Sequence, residues 1–153
     1  DYRQYGLELE VIHHSELLRD LVKDGRLKLD KTTSELGTTL FHDSCYLGRH
    51  NDVYDAPREV IETATGSAPG EMERNRNNAF CCGAGGGRMW MEEHTGERIN
   101  LTRVKEALEE KPDTICVACP YCLTMFEDGL KDVKADNVRV RDVAEVMAEA
   151  VFR

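Results

Sequence analysis

Thr114-Ile115-Cys116-Val117-Ala118-Cys119-Pro120-Tyr121-Cys122 runs from a buried-type strand into a corner that carries two cysteines. Its first four residues hold no charge and are mostly apolar or β-branched, the pattern of a strand covered on both faces. Leu123 to Leu130 follows as a helical stretch that stops at Gly129 or just beyond. Downstream, Val138-Arg139-Val140 reads as another strand, and Asp142 caps a last helix through Val146, Met147 and Val151. Upstream, Pro112-Asp113 stops a helical stretch from Arg88 to Glu110, read as two helices broken near Gly96. Leu101, Val104 and Leu108 give that stretch an apolar face.

The alternation continues toward the N-terminus. Thr38 to His42 is β-prone and delivers Asp43-Ser44-Cys45 at its end. A helix starts at Asp55-Ala56-Pro57 and runs through Val60 and Ile61 to Gly66. Ser67-Ala68-Pro69-Gly70 is turn chemistry, and Glu71 to Glu73 reads as a short strand. Leu7 to Ile12 alternates apolar and acidic residues and reads as a strand of period two. Ser15 is the expected cap of a helix bearing Leu17, Leu18, Leu21 and Val22, closed by Asp24-Gly25; Lys28 to Gly37 reads as a loop. The predicted fold is α/β, an approximately four-stranded, mostly parallel sheet covered by helices. Ligand sites in such sheets gather outside the carboxyl ends of the strands, where Cys45 and Cys119 fall.

The chain has 153 residues, 41% hydrophobic and 32% charged, enough for one domain with its own core. A net charge of −9 and a pI near 5.1 argue against nucleic-acid binding, which needs a basic face. No apolar run of membrane-spanning length exists and no signal peptide is visible. The chain opens at Asp1 rather than Met, and Asp1 to Gly6 reads as the end of a helix already under way. The expectation is a C-terminal piece, residues 1–153, of a longer protein.

Six cysteines are many for an intracellular chain. Cys45 is followed after 35 residues by Cys81-Cys82, and after 36 more by Cys119-Pro120-Tyr121-Cys122. Adjacent cysteines rarely bridge, because about 3.8 Å between their Cα atoms is below the usual disulfide range. Both can face one metal if the chain kinks, which the Gly83-Ala84-Gly85-Gly86-Gly87 run permits. The same run offers backbone N–H groups of the kind that cradle anions and iron–sulfur sites. Thiolate-rich sets select zinc, Cu(I) or iron–sulfur clusters. Structural zinc usually takes four ligands, often as paired CxxC knuckles, and here one CxxC stands beside one CC. A structural zinc or interaction module, and a metal-free thiol–disulfide pair at Cys119 and Cys122, are the rival readings.

His42-Asp43-Ser44-Cys45, Cys81-Cys82-Gly83-Ala84-Gly85-Gly86 and Ala118-Cys119-Pro120-Tyr121-Cys122, at this spacing, closely resemble the CCG cysteine-rich domain. That domain occurs in heterodisulfide reductases and in the iron–sulfur subunits of glycolate and lactate oxidases. The resemblance covers Leu7 to the C-terminus. Arg74-Asn75-Arg76-Asn77-Asn78 and Arg88-Met89-Trp90 look most like the C-terminal CCG domain of larger iron–sulfur reductases. It implies a [4Fe–4S] cluster, non-cubane in some members, held by Cys45, Cys81, Cys82, Cys119 and Cys122. Gly83, Gly85 and Gly86 would lie along it. It further implies electron transfer with other domains or subunits of an oxidoreductase, or, as an alternative, reduction of a disulfide at the cluster. The segment itself would be cytoplasmic and touch no membrane, although its parent can be anchored at the cytoplasmic face.

Cys116 lies outside that pattern. It could open a ferredoxin-like run, but Phe126 stands where the next cysteine would be, so Cys116 is read as a buried strand residue. His42 and His50 flank Cys45; a ligand role is open to them, and shaping the loop by hydrogen bonds is preferred. His13, His14 and His94 are read as surface or capping residues. Arg49, Arg74, Arg76 and Arg88 could offset an anionic centre or simply be solvated. The glycine run lacks the third glycine of a dinucleotide loop because Arg88 occupies that place. Met89-Trp90-Met91 is read as core packing, and Glu92-Glu93 and Glu109-Glu110 as exposed helix charge.

Overall fold

Four short strands make one wholly parallel sheet in the order β2-β1-β3-β4, in a computed structural model that describes residues 2–29 and 31–152. They are β1 (Thr39–Phe41), β2 (Gly70–Glu71), β3 (Thr114–Val117) and β4 (Arg139–Asp142). The helices are α1 (His14–Lys23), α2 (Asp55–Thr65), α3 (Ile99–Glu109), α4 (Pro120–Asp132) and α5 (Val143–Val151). β1 and β3 are central and buried along their whole length, as their uncharged sequences require. Period two sorts their side chains. Leu40, Ile115 and Val117 face a core shared with α3 and α4. Phe41 and Cys116 face the other core, shared with α2 and α5. Cys116 is therefore a fully buried strand residue, as read from the sequence.

This topology creates the site. β1 leads into α2 on one face of the sheet, while its neighbour β3 leads into α4 on the opposite face. Chains leaving two adjacent parallel strands in opposite directions open a crevice at their carboxyl ends. Cys45 follows β1, and Cys119 and Cys122 follow β3, so both groups stand on that crevice.

Several expectations need correction. Leu7 to Ile12 forms no strand; it is an unpaired segment with Val11 88% exposed. Alternation makes a one-sided surface, but a strand also needs a ladder partner. The edge place beside β1 goes instead to Gly70–Glu71, which overlaps the short strand expected at Glu71 to Glu73. Arg88 to Glu110 contains one α-helix, α3, rather than two. Arg88 belongs to the 3₁₀ segment Gly85–Trp90, where positive φ at Gly86 and Gly87 breaks any helical run. That break leaves Trp90 81% exposed, so it is not core packing; Met89 alone of the three packs against the core. The buried face of α3 is Asn100, Arg103, Val104 and Ala107, with Leu101 and Leu108 only half-buried.

α1 begins two residues earlier than expected. His13 is its cap: the Ser15 N–H donates to Nδ1 over 3.2 Å, and Ser15 is buried in the first turn. Nε2 of His13 then reaches the Ala118 carbonyl at 3.1 Å, tying α1 to the end of β3. Asp142 caps α5 as expected, and His14 Nε2 donates to its Oδ1 at 3.0 Å. Gly129 lies inside α4 rather than at its end. A Cβ there would stand 2.7 Å from Val104 Cγ2, so this glycine lets α3 and α4 approach closely. Of the expected N-terminal helix end, Tyr2–Tyr5 form one 3₁₀ turn and Asp1 lies outside the described residues. Among the described residues no helix is long and apolar enough to cross a membrane.

Candidate metal centre

The crevice holds a cavity of about 180 Å³ lined by Cys45, Cys81, Cys82 and Cys122, with His42 and Phe80 among the other walls. Three separate connections deliver these thiols: β1 to α2, β2 to α3, and β3 to α4. No cysteine among the described residues is in a disulfide. Cys119 does not line this cavity. It borders a neighbouring one of about 490 Å³, beside His13 and Tyr46, and meets the set through a hydrogen bond with Cys122.

The cysteine pair turns as its glycine allows. Gly83 sits at φ +94, and its N–H donates to Cys81 Sγ at 3.3 Å. A Cβ there would lie 3.1 Å from the Asn100 backbone nitrogen and 3.2 Å from Ile99 Cβ. Gly83→Ala is therefore expected to destabilise the fold by about 1–3 kcal/mol, through strain and crowding, and to loosen the Cys81 sulfur. Urea unfolding checks this; an unchanged midpoint would show that the turn has another conformation. Gly85 and Gly86 are exposed and lie outside the cavity wall, in the 3₁₀ segment at its rim.

The thiols cannot all ionise without a cation. Hydrogen bonds from the Cys122 and Cys81 thiols pull Cys82 far below the usual thiol range despite its burial, with help from His42 and the Ala84 N–H. Its negative charge then pushes its donors up. Cys81 rises through its hydrogen bond to Cys82 and burial, and Cys122 through its bonds to Cys119 and Cys82. Cys119 is lowered to about 6 by the Cys122 thiol, against burial, with the Tyr121 and Cys122 N–H groups at the start of α4 assisting. Cys116 stands apart, pushed up to about 12 by burial. Several packed thiols of which one is a ready thiolate form the donor set of a metal or cluster, whose positive charge permits the rest to ionise.

The supporting shell contains residues that the sequence reading did not assign. Arg58 Nη1 and Nη2 each donate to one Asp43 oxygen at 2.8 Å, and Arg58 Nε and Nη2 donate to Glu71 at 2.6 and 2.7 Å. The Arg76 N–H donates to Asp43 at 2.7 Å. One buried pair thus pins the loop before Cys45 to α2, to β2 and to the turn that precedes Cys81. A second chain runs behind His42. Arg103 Nε donates to His42 Nδ1 at 3.2 Å, Arg103 pairs with Glu106, and Glu106 accepts from Arg74. The available signal was an arginine at core spacing: Arg103 shares a stripe with Asn100, Val104 and Ala107. Of the arginines considered from sequence, Arg49 and Arg76 border the cavity. Arg49 is bonded to the Ala79 carbonyl and Arg76 to Asp55. Arg74 stacks on Phe80, and Arg88 pairs with Glu93 away from the site.

Comparison with known proteins agrees with this geometry. The chain is 51% identical over 153 residues to a probable iron-sulfur-binding oxidoreductase, FadF, of Bacillus subtilis, covering 99% of this chain and 21% of the relative. It is 46% identical over 160 residues to the EtfAB:quinone oxidoreductase of Syntrophomonas wolfei, covering 99% of this chain and 22% of that protein. It is 39% identical over 151 residues to one subunit of the dihydromethanophenazine:CoB–CoM heterodisulfide reductase of Methanosarcina barkeri, covering 97% and 36%. The chain thus spans roughly a fifth to a third of the length of these relatives. The CCG cysteine-rich domain matches residues 39–127, from β1 through the CxxC corner into α4. That match takes in every thiol of the crevice and more than half of the chain, which therefore belongs to the CCG cysteine-rich domain family.

Proposed function

We propose that this chain holds an iron–sulfur cluster and relays electrons within a larger oxidoreductase. The observation that carries the reading is the convergence of Cys45, Cys81, Cys82 and Cys122 on one cavity at the strand crossover. The ligands are these four together with Cys119, the cluster is of the [4Fe–4S] type, and the five-thiol set suits a non-cubane form. The cluster supplies the redox step. The polypeptide buries the sulfurs, fixes their positions and offers N–H donors, of which the Gly83 N–H to Cys81 is the clearest. Such donors and the degree of solvent exposure tune a cluster's potential. Relatives named as oxidoreductases, each several times longer than the match, support a role beside other domains or subunits. A cytoplasmic place suits six free thiols.

Anaerobic purification is the test. A brown protein with about four irons and four sulfides per chain is the expected result. A colourless protein with a single zinc would overturn the reading in favour of a structural zinc module.

A further inference from the structure

His42, Cys82 and Cys122 are all buried, and their potential ligand atoms lie within 4.8 Å of one another. Taken alone, that trio looks like a mixed His–Cys metal site. Arg103 argues otherwise. Its Nε–H points at His42 Nδ1 over 3.2 Å, and arginine can only donate. Nδ1 must therefore be the accepting, unprotonated nitrogen. A neutral imidazole has one proton, so that proton sits on Nε2. Burial, with the Arg103 charge beside it, favours the neutral ring, although the Cys82 hydrogen bond works the other way. A ring that ligated through Nε2 would carry its proton on Nδ1 and set it against the Arg103 N–H, donor facing donor.

We propose that Arg103 fixes the tautomer of His42 so that Nε2–H donates to the Cys82 sulfur, which makes His42 a positioning residue of the metal centre and not one of its ligands. This rests on the iron–sulfur reading for its redox consequence, but not for the tautomer itself. The ring has little freedom to turn away. It packs edge-on to Phe126 with centroids 4.8 Å apart, and its backbone N–H is bonded to the Cys116 carbonyl at 2.9 Å. Arg103 is equally held: it is 1% exposed, its Nη1 is 2.8 Å from Glu106, and Glu106 is clasped by Arg74 at 2.7 Å. The guanidinium makes no other hydrogen bond through its Nη atoms, so charge pairing with Glu106 and the bond to His42 are what secure it. The chain Arg74–Glu106–Arg103–His42–Cys82 thus runs from the partly exposed Arg74 to a sulfur of the centre, with each donor's direction set by the one behind it. A donor to a cluster sulfur raises the reduction potential.

Two measurements test this on the protein. In the metal-free protein with ¹⁵N-labelled histidine, His42 is expected to show a protonated Nε2 and a bare Nδ1. Loss of that preference is expected in Arg103→Met. In anaerobically loaded protein, His42→Gln keeps an N–H near the place of Nε2, and His42→Leu removes it. The Leu variant is expected to retain its iron and to shift toward lower potential by at least tenfold in the reduction equilibrium, about 59 mV for one electron. The Gln variant is expected to stay closer to the unsubstituted protein than that. A protonated Nδ1 would overturn the proposal, and so would an unchanged potential in a loaded Leu variant or iron loss in both. If the Leu variant does not fold, the tautomer decides. Absence of any iron–sulfur absorption in the unsubstituted protein would sink the cluster reading and leave the tautomer result standing separately.

Discussion

Changing Cys82 to serine is expected to strip the centre, with at least about a tenfold fall in iron and sulfide per chain after anaerobic loading. The position is the most interconnected of the set. Cys82 is 6% exposed and takes hydrogen bonds from Cys122, Cys81 and His42. It is also the thiol most ready to act as thiolate, and the thiolate is the metal-binding form. A serine hydroxyl is a poor substitute, because it stays protonated and is a hard donor where a soft one is selected. Cys116→Ala makes the matching control. Its thiol lies on the opposite face of β3, against α2 and α5, and is pushed up to about 12. That variant should retain full iron and lose only some stability, because it leaves a small cavity. Equal iron loss in both variants would mean that the two sulfurs share one site, contrary to their placement on opposite faces.

Removing the Arg58 guanidinium has the largest expected effect on folding. In Arg58→Met, Asp43 keeps only the Arg76 N–H, inside a site where its side chain is 3% exposed. An uncompensated buried carboxylate costs about 3–5 kcal/mol when one partner is removed. The pH dependence carries a sign. Burial opposes ionisation of Asp43, yet the Arg58 hydrogen bonds and charge, with the Arg76 N–H, hold its pKa below the ordinary carboxylate value. The pair's contribution is thus fully present above the unfolded-state pKa of about 3.9 and is lost as pH falls through the lower folded value. In Arg58→Met the carboxylate loses its partner and burial dominates, so its pKa rises and the variant gains stability on mild acidification. Urea midpoints between neutral pH and pH 4 measure both effects. Parallel pH profiles for the two proteins would show that the Asp43–Arg58 pair does not set the stability of this loop. The same variant should load less iron, because that pair anchors the segment leading to Cys45.

The interior arginines show where sequence reasoning stops. A stripe of buried positions on α3 was legible in the spacing, but leucines were the natural candidates for it. Arg103 takes that face because a carboxylate (Glu106) and an imidazole (His42), from other parts of the chain, are there to meet its charge. Arg58 on α2 is the same case with Asp43 and Glu71. A charged residue can be buried only where partners compensate its desolvation, and partners are a property of the assembled fold.

What the chain determined by itself was the alternation of strands and helices, the caps at Asp142 and Gly66, and the three cysteine groups. Those features depend on residues near one another in sequence, through periods of two and 3.6 and through local backbone freedom. Tertiary structure decided the rest. It placed β2 at Gly70–Glu71 and left Leu7 to Ile12 unpaired, because a strand exists only with a hydrogen-bonded neighbour. It also faced Cys82 and Cys122 into one cavity while turning Cys116 to the other side of the sheet. Three cysteine groups far apart in the chain become one donor set only because β1 and β3 lie side by side and send their following segments to opposite faces.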